Sequence, residues 1–277
     1  MSLGALLMAQ GCATVGREPA KIVAAGPRIS KTLSVNPQQR FLKRKVAIAR
    51  FSDETKYGQG FFHDLHNDRI GKQAMDILSA KLAETGKFIL LERADIDKIN
   101  KELKMGGIGH LNIPADYLIV GSISEFGRKE TSDVGVFSRV KKQEAYAKVN
   151  IRLVEVKTGQ IIFSQEAAGE AYSKAGTVMG LGGHAGLDTS LNDKAIDAAI
   201  SKLVSKVVEN LLGKPWRAYV LSYQNGDYII SGGKSQGIRP GDMFTVYKKG
   251  QTVVNPQTNM KIELPGAKVG TIRVLST

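Results

Sequence analysis

The feature that most constrains the fold is a strict alternation of apolar and polar residues at 145–153. The odd positions are Ala, Ala, Val, Ile and Leu, and the even positions are Tyr, Lys, Asn and Arg. Because successive side chains of a strand point to opposite faces, this pattern predicts an amphipathic strand with one buried face. The turn-forming residues 157–160 lead into another apolar run at 161–164. We therefore expect a strand, a turn and a second strand.

The segments before and after this pair alternate between strand and helix patterns. Short apolar runs predict strands at 45–51, 88–91 and 117–122. Apolar residues spaced three or four positions apart predict helices. Glycines at the expected ends of two of these helices support the assignment. The helical positions are Ile70, Ala74, Ile77, Leu78 and Leu82 before Gly86, then residues 93–104, and finally about 192 to 212 before Gly213 and Pro215.

The last 60 or so residues have a different pattern, with short apolar runs between Gly-Gly, Pro-Gly-Asp and Asn-Pro-Gln-Thr turns. Strands are expected at 219–221, 227–230, 243–247 and 268–272. The fold class is therefore α/β (α+β), a mixed sheet with flanking helices over 43–213. A small all-β, barrel-like domain is expected over 214–277.

The positive charge lies at the two ends of the chain. Residues 1–45 contain eight basic residues and one acidic residue, and residues 214–277 contain nine and three. The block between them contains 22 of each and is neutral. Nucleic-acid binding adds aromatic residues among the basic ones, but the N-terminal segment contains only Phe41. We expect no nucleic-acid partner, and we interpret residues 12–42 as a basic, solvated tether.

Cys12 is the one cysteine of the chain and follows a short apolar stretch that ends in small residues. This arrangement is typical of a lipoprotein signal, in which a small residue precedes the cysteine that carries the lipid. Residues 1–11 are interpreted as a truncated signal, because no basic residue precedes the apolar stretch. The alternative is a buried structural cysteine, but the neighbouring residues 13–42 have the composition of a linker.

No arrangement of residues predicts an active site. His63 and His66, with Asp64 and Asp68 nearby, lack a third ligand at metal-binding spacing and are interpreted as exposed loop residues. The glycine-rich stretch 176–186 lacks the Gly-Lys-Ser/Thr ending of a phosphate-binding loop. We expect a protein that is not an enzyme, with no catalytic residues, no metal and no cofactor.

The order of segments resembles the curli secretion channel (CsgG) family over about residues 43–212. The resemblance lies in KVAIARF, GKFILLERADIDKI, ADYLIVGSISEF and VNIRLVEVKTGQIIFS, followed by a glycine-rich stretch and a long helix. Periplasmic activators of the LpoB type are built on a similar domain. The tail, with GGKSQGIRPGDMFTVYKKG and NPQTNMK, resembles the C-terminal β-domain of the flagellar assembly protein FlgT.

The resemblance implies a lipoprotein of the bacterial outer membrane, anchored through Cys12 with its domain in the periplasm. It also implies a ring-shaped homo-oligomer that inserts β-hairpins and passes unfolded polypeptide. The two candidate hairpins are about 125–150 and 165–190, although the second could equally be a glycine-rich periplasmic loop. The family's constriction loop would correspond here to Tyr57, Phe61 and Phe62. The two phenylalanines could instead simply cover the helix that follows.

Two functions remain open at this point. The first is a CsgG-type ring for secreting or assembling an extracellular polymer such as curli-like fibres. The second is a tethered periplasmic protein without a pore, which acts through protein partners as an activator or assembly factor.

Overall fold

The computed structural model describes residues 21–23, 41–55, 68–109, 113–134, 138–178, 190–257, 259 and 261–277. Its helices are α1 (Arg69–Glu84), α2 (Ile96–Met105) and α3 (Ser190–Gly213). Its strands are β1 (Lys21–Val23), β2 (Arg44–Asp53), β3 (Phe88–Leu91), β4 (Tyr117–Val134), β5 (Ser138–Glu155), β6 (Ile161–Val178), β7 (Val220–Gln224), β8 (Asp227–Ile230), β9 (Met243–Tyr247), β10 (Thr252–Val254), β11 (Lys261–Glu263) and β12 (Lys268–Arg273).

A six-stranded mixed sheet forms the centre of the molecule, in the order β1-β6-β5-β4-β2-β3. Strand β2 runs parallel to both β3 and β4, whereas β4, β5 and β6 form an antiparallel meander. The parallel pairs require crossovers, and helices α1 and α2 provide them. The predicted mixed sheet with flanking helices is confirmed.

The three strands of the meander are much longer than their apolar runs predicted. Each contains 18 residues. The β4–β5 pairing continues to Val134 opposite Arg139, and the β5–β6 pairing continues to Ser138 opposite Val178. Backbone hydrogen bonds between neighbouring strands sustain these outer parts, where polar residues replace the apolar pattern. The candidate hairpin at 125–150 is therefore the outer part of the β4–β5 pair.

Helices α1 and α3 cover one face of the sheet and form the core with it. Lys81 of α1 contacts Asp197 of α3 at 2.7 Å. The long helix α3 contributes most of the buried helical side chains because apolar residues recur along two of its sides. The fully buried large side chains here are Leu78, Leu82, Ile119, Ile123, Ile151, Leu153, Leu191, Ile196, Ile200, Leu203 and Leu211.

Helix α3 approaches β6 so closely that only small residues fit between them. A Cβ atom added at Gly169 would lie 2.3 Å from both the Ala195 carbonyl oxygen and the Ala199 amide nitrogen. Ala171 and Ser173, on the same face of β6, are buried as well. Helix packing thus accounts for the glycine at position 169, and the candidate hairpin at 165–190 stays a prediction.

A β-bulge changes which residues of β4 face the core. The register with β5 shifts between Ile123 and Glu125. Before the bulge Ile123 is buried, and after it Phe126 packs against the core while Glu125 is exposed. The extra residue in the ladder therefore turns Glu125 toward solvent.

Helix α2 has the predicted amphipathic pattern, but none of its residues is buried. Ile96, Ile99 and Leu103 are half-buried. Met105, at the end of the helix, is 68% exposed, and Ile108 just beyond it is 62% exposed. The described part of the chain leaves this apolar surface open.

Three two-stranded antiparallel sheets make up the C-terminal region: β7–β8, β9–β12 and β10–β11. Two short strands, β10 and β11, were not predicted, because three-residue strands give too little periodicity. Trp216 packs on Phe244 with ring centroids 5.1 Å apart, and Ile238 is fully buried. The division into domains at 213/214 and the barrel-like description stay predictions.

The interpretation of 12–42 as a linker needs one correction. Residues 21–23 form strand β1, which pairs antiparallel with β6 opposite Tyr172, Ala171 and Glu170. An extended segment can add to the edge of a sheet because the edge strand has backbone groups without partners in the ladder. Within the described residues, no helix is both long and apolar enough to span a membrane.

We predict that Gly169→Ala lowers the free energy of unfolding by about 1–3 kcal/mol, because the new methyl group overlaps the backbone of α3. Gly127→Ala is the matched control, since a Cβ there meets nothing within 4 Å. Urea denaturation measures both variants. Equal stabilities would mean that the helix does not lie this close to β6.

Candidate functional site

Asp68 holds together the two ends of the segment that connects β2 to α1. Its Oδ1 accepts a hydrogen bond from the Gly71 amide at 2.7 Å, which caps the helix. Its Oδ2 accepts one from the Asp53 amide at 2.7 Å, at the end of β2. Both carboxylate oxygens are thus used by backbone donors. Asp68 therefore joins the end of β2 to the start of α1.

The candidate constriction residues Tyr57, Phe61 and Phe62 lie in this segment and outside the described residues. Their assignment to a constriction loop stays a prediction, and so does the alternative that the two phenylalanines cover the helix that follows. Cys12 also lies outside the described residues, and so do His63, Asp64 and His66. Among the sequence motifs weighed for a site, the structure describes Asp68, and it places this residue at the helix cap.

A charged network lies on the sheet face opposite the helices, where the bulge turns Glu125 outward. The Lys148 ammonium on β5 contacts Glu125 Oε1 of β4 at 3.0 Å and Glu166 Oε1 of β6 at 2.7 Å. The Tyr146 hydroxyl donates to Glu125 Oε2 at 3.2 Å. One lysine therefore links three strands through cross-strand pairs. We call Glu125, Tyr146, Lys148 and Glu166 the charged cluster.

The pKa shifts of Lys148 and Glu125 favour their charged forms, and the pKa shift of Tyr146 favours its neutral hydroxyl. Hydrogen bonds to Glu166 and then Glu125 raise the pKa of Lys148. Hydrogen bonds from Lys148 and then Tyr146 lower the pKa of Glu125. Partial burial, followed by the hydrogen bond to Glu125, raises the pKa of Tyr146. These shifts move the three pKa values further from neutral pH. Because efficient proton transfer needs a pKa near the working pH, the cluster is better suited to binding.

Arg44 joins the first core strand to the end of the long helix. Its guanidinium donates to the Leu212 carbonyl at 3.2 Å, to the Lys214 carbonyl, and to the Leu42 carbonyl at 3.4 Å. The side chain is buried, and this burial lowers the pKa of Arg44. A cation at a helix C-terminus satisfies carbonyls that have no partner within the helix and interacts favourably with the helix dipole.

A second contact beside Arg44 attaches the C-terminal region to the same place. The Lys43 amide donates to the Gln236 carbonyl at 2.9 Å, and Gln236 Nε2 donates to the Lys43 carbonyl at 3.5 Å. Gln236 is buried, and it lies in a 3₁₀ turn at Lys234–Gln236. The start of β2 therefore holds both the end of α3 and the C-terminal region.

Cavities and ligand clusters give little indication of a small-molecule site. A cavity of about 410 Å³ is open to solvent beside the 3₁₀ turn. The residues that line it are Lys234, Gly237, Ile238, Arg239, Pro240 and Thr277. In the described ranges, no group of three or more His, Cys, Asp and Glu residues is placed to hold a metal ion.

Three of these arrangements were not anticipated from the sequence. Asp68 had a usable signal, since an aspartate directly before an apolar-periodic run is typical of an N-cap. The charged cluster depends on a bulge and on cross-strand register, which a single strand does not reveal. Arg44 contacts carbonyls about 170 residues away in the sequence, and no local pattern predicts such a contact.

Comparison with known protein families identifies the family of this chain. Residues 30–240 match the family "Curli production assembly/transport component CsgG". Since this match covers most of the chain, the chain belongs to the CsgG family, as the resemblance indicated. The match ends within the C-terminal region, so the similarity to the FlgT domain stays a prediction.

Individual proteins are also similar to this chain. A putative lipoprotein of Neisseria meningitidis serogroup B is 32% identical over 210 residues, which cover 75% of this chain and 91% of that protein. The PelC dodecamer of Paraburkholderia phytofirmans covers 68% of this chain and 97% of its own, at 13% identity and a TM-score of 0.28. The LpoB C-terminal domain of Salmonella enterica matches 50% of this chain and 90% of its own, at 16% identity and a TM-score of 0.27. At these low TM-scores the two structures carry no argument about function.

We predict that Asp68→Ala destabilises the protein by about 1–2 kcal/mol, because the N-cap of α1 and the partner of the Asp53 amide are lost together. Asp76→Ala, in the exposed middle of the same helix, is the control and is expected to change stability by less than about 0.5 kcal/mol. Thermal unfolding followed by circular dichroism compares them. An effect of Asp68→Ala no larger than the control would contradict the assigned cap.

We also predict that Arg44→Met lowers the free energy of unfolding by about 2–3 kcal/mol, since it leaves part-buried carbonyls at the end of α3 without their charged donor. Arg50→Met removes the same charge from an exposed position of the same strand and serves as the control. Chemical denaturation gives both values. If the two variants lose equal stability, Arg44 does not hold the helix end.

Proposed function

We propose that this protein is a lipid-anchored protein of the bacterial cell envelope that self-associates into a ring. The ring serves the secretion or assembly of an extracellular polymer such as curli-like fibres. The observation that carries the proposal is the CsgG family match over residues 30–240, a family described by assembly and transport in curli production. The relative that is 32% identical is itself named a putative lipoprotein.

The proposed anchor is Cys12, acylated after removal of the signal that precedes it. Several acyl chains together hold a protein on a membrane without a transmembrane helix, since each buried CH₂ contributes about 0.8 kcal/mol. The residue after the cysteine is Ala13 rather than an aspartate. The proposed location is therefore the periplasmic side of the outer membrane.

Self-association is supported by the apolar surface that α2 leaves open. Met105 and Ile108 are among the most exposed large apolar side chains of the described residues. They lie at and just beyond the C-terminal end of α2, away from the half-buried side of the helix that carries Ile96, Ile99 and Leu103. Open apolar surfaces of this kind are typical of protein–protein contacts.

The proposed role is not enzymatic. In the charged cluster, the carboxylates pair with Lys148 and not with each other, so no carboxyl there is held in reserve as an acid. A polar, ion-paired sheet face fits a role in binding protein partners.

A second candidate is a periplasmic activator or assembly factor without a pore. The observation that favours it is the burial of Gly169 against α3 and of Ala171 in the core, so that these two residues of β6 pack inside the protein. The outer part of β4 adds Glu125 and Lys129 as exposed charged residues, whereas lipid-facing strands alternate apolar residues outward.

The test is to purify the protein in detergent after expression with a complete lipoprotein signal, followed by electron microscopy and bilayer conductance. We expect rings from the native chain and monomers from the double variant Met105→Lys/Ile108→Lys. Ile161→Lys, which changes another exposed apolar residue, is the control and should keep the ring.

The possible results separate the two candidates. Rings that conduct support the secretion function. Rings without conductance support an assembly role without a pore. Monomers alone from the native chain, with no conductance, would overturn the ring.

A further inference from the structure

The described residues of 243–273 form two antiparallel strand pairs that follow one another, which we call the C-terminal arm. Its base is the β9–β12 pair and its outer part is the β10–β11 pair. Two backbone hydrogen bonds join these parts: Lys248 N donates to the Ala267 carbonyl at 2.8 Å, and Leu264 N donates to the Gln251 carbonyl at 2.9 Å. The arm is therefore continuous from base to tip.

Two glycines face each other where the base of the arm meets its outer part. A Cβ atom at Gly250 would lie 1.8 Å from the Leu264 carbonyl oxygen, and one at Gly266 would lie 1.9 Å from the Lys248 carbonyl oxygen. Only glycine allows the two backbones to come this close.

The base of the arm has an inner face and an outer face. Phe244 and Ile272 pair on the inner face, where Phe244 packs on Trp216. On the outer face Met243 lies opposite Arg273, and Tyr247 lies opposite Lys268. Met243 is 65% exposed and Tyr247 is 61% exposed. The outer face therefore sets apolar side chains beside basic ones.

The outer part of the arm exposes apolar side chains on both of its faces. Val253 and Val254 are neighbours on β10, so they point to opposite sides, and both are exposed. Ile262 and Leu264 on the returning strand are exposed as well. A two-stranded ribbon has no concave surface to hold a peptide side chain. A fluid surface, which can surround apolar side chains on both faces of the ribbon, is a better partner for it than a folded protein.

The charge of the arm identifies the chemistry of that surface. Residues 243–273 contain five basic residues and one acidic residue, Glu263. A second copy of the arm would be repelled, whereas anionic lipid headgroups attract lysines that lie near the membrane surface. Tyrosine, valine and isoleucine beside lysine are typical of segments that enter the headgroup region.

We propose that the C-terminal arm docks on an anionic lipid surface. Val253, Val254 and Ile262 enter the headgroup–acyl boundary, and Lys248, Lys249 and Lys268 contact the phosphates. This contact is independent of acylation at Cys12 and of ring formation. It gives the protein a second attachment, which orients its C-terminal region on the membrane.

The test uses the full chain with Cys12→Ser, so that no acyl chain can cause binding. Co-sedimentation is measured with vesicles of phosphatidylglycerol and phosphatidylethanolamine, and with vesicles of phosphatidylcholine alone. We expect binding to the anionic vesicles that weakens as salt is raised, because the headgroup attraction is screened. Equal binding to both kinds of vesicle, or to neither, would overturn the proposal.

Variants locate the contact on the arm. The triple variant Lys248→Ala/Lys249→Ala/Lys268→Ala should weaken vesicle binding roughly 100-fold, since each lysine near the surface contributes about fivefold. Lys101→Ala/Lys104→Ala/Lys206→Ala removes three exposed lysines elsewhere and is the charge-matched control. Val254→Asp/Ile262→Asp tests the apolar part. Binding by the arm variants equal to that of the control would place the contact elsewhere.

The outcome is separate from that of the ring experiment. Thermal unfolding of each variant confirms that the core remains folded. Rings without vesicle binding would overturn the arm proposal and leave the ring intact. Vesicle binding by a chain that forms no ring would support the arm and count against the ring.

Discussion

The close approach of helix α3 to strand β6 at Gly169 is the contact on which the α+β domain depends. The helix is buried along most of its length, and it covers the meander from Leu191 to Leu211. Lys202 reinforces the contact by donating to the Ala168 carbonyl at 2.7 Å. Because small residues on β6 let the backbones approach, the apolar side chains of α3 reach the sheet and fill the core between them. The cost is that this face of β6 accepts no larger side chain.

This packing determines which surfaces of the protein are free to act. One face of the sheet is closed by helices, so the surfaces that remain open are the opposite face, α2 and the C-terminal region. The charged cluster around Lys148 lies on the open face and is polar throughout. Helix α2 and the C-terminal arm are apolar in part, and the arm is also basic. The protein thus presents three surfaces of different chemistry, each suited to a different kind of contact.

Much of the core could be predicted because it depends on local patterns. The alternation at 145–153 identified the buried face of β5, and Gly86, with its positive φ of 61°, ended α1 as predicted. The outer parts of β4 and β6 could not be predicted, since their polar residues are held in strands by backbone pairing with β5. The reason for a glycine at position 169 could not be predicted either, because it depends on how closely α3 packs on β6.

The sequence by itself determined the mixed fold class, the positions of the helices and the core strands, and membership of the CsgG family. The fold class and the positions of the elements follow from periodicity and capping glycines, which are local. The family was indicated by the resemblance of several segments and of their order. Only the tertiary structure decided that Arg44 holds the end of α3, that Asp68 joins β2 to α1, and that a bulge turns Glu125 toward Lys148. The physical reason is that each contact joins residues far apart in the chain, whose distance is set by packing and register.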